Sequence, residues 1–341
     1  MTEIKKNLVC WAVSDGRAGI EANCLGLAAA MGLSPVIHHV QMKAPWKWLP
    51  PALLPLHSGI YDASAFSPQK AEENSWPENN WPDIIIGCGR QAALFTALVR
   101  KLSKRKTFAI QIQDPKVPPS LYDLVITPEH DTLRGPNVLT TCGALNKITP
   151  DLLKQGKGEL APRITNLPRP LVAVLVGGKS KAYDLTADII HQLGNQLQKL
   201  HQQTGCGFLV TTSRRTGQEN EVLLSGYLKD LPAFVWDGHA PNPYFGFLGS
   251  ADAIVVTSDS VNMVTEAAST GRPVFTVDLK GGSKKFDRFH RKLRDDGIIR
   301  PFTGRLDSWS YPPLCESHRI AKIILKKLDD SGRLSQKNKS Q

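Results

Sequence analysis

The chain has 341 residues, 41% of them hydrophobic and 21% charged, with 42 Lys and Arg against 31 Asp and Glu for a formal net charge of +11. At roughly 100–200 residues per domain this predicts two domains with separate cores, and the apolar content excludes a disordered chain or a coiled coil. No run approaches the roughly 18 apolar residues of a bilayer span, and the start MTEIKKNLVCWAV lacks the features of a secretory leader, so a cytoplasmic protein is expected.

Residues 8–33 pass from an apolar run through a Gly-containing turn into a stretch whose apolar positions recur at three and four, a βα unit. The pattern returns at 83–102, and shorter strands follow at 107–113 and 124–127. Between 44 and 82, seven Pro and four Trp break the periodicity and mark a surface excursion. Within it, Trp46 and Trp48 alternate with Lys43 and Lys47 as interfacial anchors do, although the prolines forbid a long amphipathic helix. Pro and Gly thicken over 150–170, which reads as a linker. A second series of strands and helices occupies 171–200, 207–220, 234–239, 251–270 and 273–279. Near-continuous Ile/Val strands alternating with helices predict parallel sheets covered on both faces.

The expected architecture is therefore two Rossmann-like domains with parallel sheets facing a cleft. Residues 1–165 form the acceptor side, 166–315 the donor side, and 316–341 a C-terminal helix and polar tail. Ligands bind outside the carboxyl ends of strands in such sheets, which puts the site between the domains. Six Cys show no CxxC and no His partner at metal-ligand spacing, so buried thiols in a reducing compartment are expected, with no metal site. The charge is uneven: residues 1–165 carry 18 basic and 14 acidic side chains, 166–278 carry 8 and 10, and 279–341 carry 16 and 7. No zinc-finger spacing, RNA-binding aromatic signature or heptad accompanies the basic end, so nucleic acid is not the expected partner.

Three strand ends of the second series carry chemistry. Gly177-Gly178-Lys179-Ser180 closes an apolar strand and reads as the opening of a helix containing Tyr183 and Asp184. Close backbone approach, a helix N-terminus and the Lys179 charge suit a phosphate, although G-x-x-x-x-G-K-[ST] spacing is lacking and an ordinary tight turn explains the pattern too. Ser213-Arg214-Arg215-Thr216 follows the next strand, and adjacent guanidinium groups among hydroxyls pair diphosphate oxygens, whereas the plain alternative is a solvated turn. Ser258-Asp259-Ser260 forms a turn able to cap a helix, and Glu266 lies about two helical turns inside, either outward-facing or accepting from vicinal hydroxyls.

The stretch TSDSVNMVTEAASTGRPVF resembles the nucleotide-sugar segment of GT-B glycosyltransferases and nucleotide-sugar 2-epimerases. That resemblance implies phosphate or sugar contact at Ser258, Asp259 and Ser260 and ribose contact at Glu266. It also places Trp236 to Tyr244 where such enzymes meet the nucleobase. VSDGRAGIEANCLGLAAAMG, GCGRQAA, QIQDP, VGGKSKAY, TTSRRTG and TSDSVNMVTEA together, over residues 8–310, resemble the mitochondrial-fission family called Elongated Mitochondria in plants, with its bacterial relatives. The plant branch acts as a peripheral recruiter of a dynamin-like protein.

Peptidoglycan N-acetylglucosaminyltransferases carry a base His in a Gly-rich first turn, where this chain reads Ser14-Asp15-Gly16-Arg17-Ala18-Gly19. The base role then falls to Asp15 or Asp114, and Arg17 is a candidate for an acceptor anion, against the plain reading of turn formers. His130 and His239 are the histidines near predicted strand ends, each open to a structural reading. Lys280 to Leu293 sets six Lys and Arg around two Phe, which suits an anionic membrane or simply a solvated helix face.

The expected function is glycosyl transfer from a nucleotide-diphosphate sugar, the donor being a substrate and no resident cofactor or metal being required. The acceptor is expected on an anionic membrane surface or a lipid, with the protein peripheral at the inner face. The alternatives are a nucleotide-sugar epimerase or hydrolase, and a non-catalytic peripheral scaffold.

Overall fold

The computed structural model describes residues 8–62 and 81–332. Residues 1–7, 63–80 and 333–341, with part of the Pro- and Trp-rich excursion and most of the polar tail, lie outside the described residues. Two compact units emerge, Met1–Lys147 with Cys315–Gln341, and Ile148–Leu314.

The first unit contains β1 (Cys10–Ser14), α1 (Ala18–Ala30), β2 (Val36–His39), β3 (Ile84–Cys88), α2 (Gly89–Leu102), β4 (Phe108–Ile112), β5 (Leu124–Pro128) and β6 (Val138–Thr141). Its strands pair in parallel in the order β2-β1-β3-β4-β5-β6. Alternation along the strands divides their side chains between two cores. Cys10, Ala12, Ile84, Ile86 and Ile110 join one, and Trp11, Val13, Ile85 and Ala109 join the other. The excursion is anchored in the second of these through Leu54, Ile60 and Tyr61.

His38 in β2 is buried, 4.4 Å from the Trp11 ring centroid, with no partner for its Nε2. Burial, and then the neighbouring His39, lowers its pKa to about 4. Between pH 6.5 and about 4 the unfolded chain takes up a proton that the folded chain refuses, so stability falls with falling pH across that window. The loss approaches about 3 kcal/mol. A His38→Leu variant will show a flatter dependence of Tm on pH from 7 to 4. A wild-type slope retained in that variant refutes the assignment.

The second unit contains α3 (Pro150–Leu160), β7 (Leu171–Val176), β8 (Tyr183–Asp184), α4 (Ala187–Thr204), β9 (Gly207–Thr212), α5 (Gln218–Leu228) and β10 (Ala233–Val235). It continues through α6 (Tyr244–Ser250), β11 (Ala253–Thr257), α7 (Val261–Ala268), β12 (Val274–Val277), β13 (Lys280–Gly281), α8 (Lys284–Asp295) and β14 (Ile299–Pro301). The six parallel strands follow the order β10-β9-β7-β11-β12-β14, and β8 and β13 form a small antiparallel pair. Strand order reverses between β7 and β11, the topological switch point of a doubly wound sheet.

Two expectations about organisation change. The 150–170 stretch is not a plain linker, because α3 occupies its first half. Thr149 Oγ1 accepts the Leu152 N–H at 3.1 Å and Pro150 takes the first turn, the usual start of a helix. The glycine that suggests a breaker is there for packing: a Cβ on Gly156 would lie 2.7 Å from the Gly246 nitrogen of α6. This crossing ties α3 to the second unit, so the division falls at 147/148 rather than 165/166. The last helix, α9 (Glu316–Asp330), does not stand apart, since Ile320, Ala321, Ile324, Leu325 and Leu328 enter the core of the first sheet.

Candidate functional site

At the switch point of the second sheet the strand ends are bound to one another. Gly177 donates its N–H to Thr257 Oγ1 at 2.7 Å, and Thr257 in turn donates to Asp259 Oδ1 at 2.7 Å. Asp259 Oδ2 accepts the Gly178 N–H at 3.1 Å and an Arg215 Nη2 at 2.7 Å. The Asp259 side chain is fully buried, while the Arg215 side chain remains 39% exposed. Thr216 Oγ1 donates to the Gly177 carbonyl at 2.6 Å, fixing the 213–216 turn against the glycines.

The phosphate cradle expected from Gly177 to Ser180 is therefore built differently. The helix after β7 begins only at Ala187, beyond β8, so no helix N-terminus sits at these glycines. Their N–H groups are engaged internally, as are those of Lys179 (to the Arg215 carbonyl, 3.0 Å) and Ser180 (to the Tyr183 carbonyl, 2.8 Å). Both glycines are required for this packing, since a Cβ on Gly178 would lie 2.0 Å from the Arg215 carbonyl oxygen. What faces outward is side chains: Lys179 and Arg214, both exposed, and half-buried Ser180 and Ser213.

Ser260 caps α7, its hydroxyl accepting the Met263 N–H. Ser258 is buried, with its Oγ accepting the Leu279 N–H at 3.3 Å and its carbonyl 2.8 Å from His290 Nε2, so it braces the turn. Glu266 is half buried on α7 and accepts from the Tyr244 hydroxyl at 2.8 Å. Burial, followed by that carboxylate, pushes the Tyr244 phenol up. The same bond joins Glu266 to the Trp236–Tyr244 segment, of which Ala240 to Pro243 line a pocket of about 270 Å³ with Arg163 and residues of α3. His239 sits in an exposed turn closed on Asp237.

The first unit has its own switch point, between β1 and β3. There a cavity of about 400 Å³ is lined by Asp15, Arg17, Lys43, Lys47, Asp62 and Gln91, among others. Asp15 is paired with Arg17 at 2.6 Å and accepts its N–H at 3.2 Å. That carboxylate raises the Arg17 pKa. Asp114 is not part of this cavity, and it binds both the Lys116 ammonium, at 2.5 Å, and the Lys116 N–H. Both carboxylates thus organise their own turns. His130 is buried. A histidine missed in the sequence supplies the better base geometry: His39, exposed at the end of β2, has Nε2 2.5 Å from Glu21 Oε2. Ser14 Oγ lies 3.4 Å from the same carboxylate, and a Cβ on Gly16 would lie 3.8 Å from the His39 ring, so the pair borders the Ser14–Arg17 turn. The only local signal was the dipeptide His38-His39 ending an apolar run.

Away from these sites, Cys88 is buried, as an inert thiol would be. Phe289 and Leu293 of α8 are core residues and Phe286 packs on Tyr183, so that helix presents its basic face and not its aromatics. Trp48 and Leu53 are each 70% exposed on the excursion. Arg90 pins the same segment by donating to the Lys47 and Leu49 carbonyls. No helix among the described residues is long and apolar enough to cross a membrane.

The family model for mitochondrial fission ELM1 matches residues 18–328. Mitochondrial fission protein ELM1 of Arabidopsis thaliana is 34% identical over 283 residues, which cover 75% of this chain and 66% of the plant protein. The chain thus spans just under two thirds of that relative. MurG of Acinetobacter baumannii superposes with a TM-score of 0.50 at 13% identity, covering 93% of this chain and 99% of MurG. The Methanocaldococcus jannaschii UDP-GlcNAc 2-epimerase, solved with UDP-GlcNAc and UDP, gives 0.51 at 11% identity, covering 94% and 99%. These likenesses establish the two-domain GT-B fold.

Proposed function

The chain belongs to the mitochondrial fission ELM1 family, and we propose that it is a glycosyltransferase using a nucleotide-diphosphate sugar held by its second unit. The observation that carries this reading is the set of cations at that sheet's switch point. Lys179, Arg214 and Arg215, all exposed, follow the ends of β7 and β9 together with half-buried Ser180 and Ser213, on a frame fixed by Asp259. As the sugar–phosphate bond breaks, charge develops on the leaving diphosphate, and preorganised guanidinium and ammonium groups stabilise it. Glu266, oriented by Tyr244, is assigned to the ribose hydroxyls.

The first unit is assigned the acceptor. Arg17, Lys43 and Lys47 in its cavity suit an acceptor with an anionic group, and His39 takes the hydroxyl proton while Glu21 orients the ring. Exposed Trp48 and Leu53 beside Lys47 support a peripheral contact with an anionic membrane that carries a lipid-linked acceptor.

Thermal-shift titration with UDP, GDP, CDP and ADP tests the donor site. The cognate nucleotide at 100 times its Kd adds about 2.7 kcal/mol of stability. The Arg214→Ala/Arg215→Ala double variant will lose that shift. His39→Ala will retain it while lowering turnover by about 10²–10⁴-fold. If none of the four nucleotides raises Tm, the donor reading fails; nucleotide binding without turnover on any acceptor leaves the scaffold alternative.

A further inference from the structure

Gly156, Glu159, Leu160 and Arg163 recur at spacings of three and four along α3 and the 3₁₀ turn Ala161–Arg163 that continues it, so they share one face. That face and the loop Ala240 to Pro243 enclose the pocket of about 270 Å³. Leu160, Phe245 and the two prolines give it apolar walls, and its charged lining is the Glu159 carboxylate and the Arg163 guanidinium. Glu159 Oε1 accepts the Gln155 Nε2 amide at 2.8 Å, which orients the carboxylate and leaves it further lone pairs. Arg163 Cζ lies 4.7 Å from the Phe234 ring centroid, a cation–π contact that takes up few of the five N–H donors of that group.

The loop opposite is poor in donors. Pro241 and Pro243 have no N–H, and the Asn242 Nδ2 is given to Thr211 Oγ1 at 3.0 Å. That bond also locates the pocket, because Thr211 lies at the end of β9, directly ahead of the Ser213–Thr216 turn. Tyr244, which follows the loop, binds Glu266 through its hydroxyl at 2.8 Å. The cations of the 213–216 turn, Glu266 and the pocket therefore share the carboxyl edge of one sheet.

We propose that this pocket takes the base of the donor nucleotide and selects guanine, with Glu159 accepting N1–H and N2–H of the ring and Arg163 donating to O6. The assignment rests on the donor reading above and adds to it the identity of the nucleotide. The volume lies just under the roughly 300–1,000 Å³ of whole-ligand sites, which suits one heterocycle with its ribose and phosphates outside. Guanine alone among the four common ribonucleotide bases offers a carboxylate two adjacent donors. Adenine and cytosine put a ring lone pair beside their single amino group, and uracil flanks its one N–H with two carbonyls. Each of these sets an acceptor against Glu159, and that repulsive contact excludes it. Uracil also requires donors for its carbonyls, which a Pro-Asn-Pro loop supplies poorly.

Calorimetric titration of the full chain with the diphosphates of guanosine, inosine, xanthosine, uridine, cytidine and adenosine tests the assignment. GDP will bind most tightly, and inosine diphosphate, which lacks only the 2-amino group, about tenfold or more weaker. In Glu159→Gln that difference will collapse, and xanthosine diphosphate will gain affinity, because the glutamine amide donates to the xanthine O2. Arg163→Leu will weaken GDP and inosine diphosphate by the same factor, since both keep O6. Arg214→Ala/Arg215→Ala will weaken all six without reordering them. UDP, CDP or ADP binding as tightly as GDP overturns the guanine assignment while the donor reading stands. A GDP–inosine diphosphate difference that survives in Glu159→Gln overturns it equally. Binding by none of the six overturns the donor reading and the base assignment with it. Glu159 is exposed, so its substitution leaves the core intact, and circular dichroism and Tm confirm that each variant folds.

Discussion

Asp259→Ala will lower the unfolding free energy by about 3–5 kcal/mol, measured by urea denaturation, although the residue caps no helix and joins no hydrophobic core. The carboxylate is fully buried and takes hydrogen bonds from the Thr257 hydroxyl, the Gly178 N–H and the Arg215 guanidinium. Its removal leaves a buried backbone donor without an acceptor and a cation without its counter-charge, and each loss costs more than the net worth of the intact bond. Arg215→Ala will cost less, because the buried Asp259 carboxylate it leaves behind keeps its Thr257 hydroxyl and Gly178 N–H donors. Asp259→Asn preserves the volume and one acceptor, so its cost falls between the two. In the Asp259→Ala/Arg215→Ala double variant the loss will be smaller than the sum of the single losses. An Asp259→Ala variant within about 0.5 kcal/mol of wild type would show that the strand ends are held by something other than this network.

The same network explains what was legible in the sequence and what was not. Gly177, Gly178, Arg215 and Asp259 stood out by residue type because strand ends collect small and charged residues, and the structure brings all four together. Their pairing was hidden, since it joins Gly178 to a carboxylate 81 positions away. The central strands were readable because burial on both faces makes them continuous apolar runs such as Ile84–Ile86 and Leu171–Val176. The edge strands β2 and β6 carry exposed or half-exposed residues and have no such run. β8 and β13, at two residues each, are too short for any period. For α9 the helical spacing was plain, but nothing local says that Ile320 and Ile324 belong to a sheet formed by the first 147 residues. His39 was missed for a related reason, because its partner Glu21 lies one turn inside another element.

Gly156 and Gly158 allow a stricter test of whether the α3–α6 crossing, and not local propensity, decides this region. Both lie in α3, two positions apart, and each replaces a better helix former at a cost of roughly 1 kcal/mol relative to alanine. Propensity alone therefore makes either Gly→Ala change stabilising. Around Gly158 nothing lies within 4 Å of an added Cβ, so Gly158→Ala will raise stability by about 0.5–1 kcal/mol. At Gly156 the added carbon would lie 2.7 Å from the Gly246 nitrogen and 2.8 Å from the Phe245 carbonyl carbon, both backbone atoms that cannot rotate away. The helices must separate, and Leu160 and Phe247, buried in this part of the unit, lose packing. Gly156→Ala will therefore destabilise by about 1–3 kcal/mol, and Gly156→Val by more, because a branched side chain widens the gap further. Opposite signs for two identical substitutions in one helix can arise only from the tertiary contact. Stabilisation by both would mean that α3 is held loosely enough to move aside, and that the division of the chain at 147/148 does not rest on this crossing.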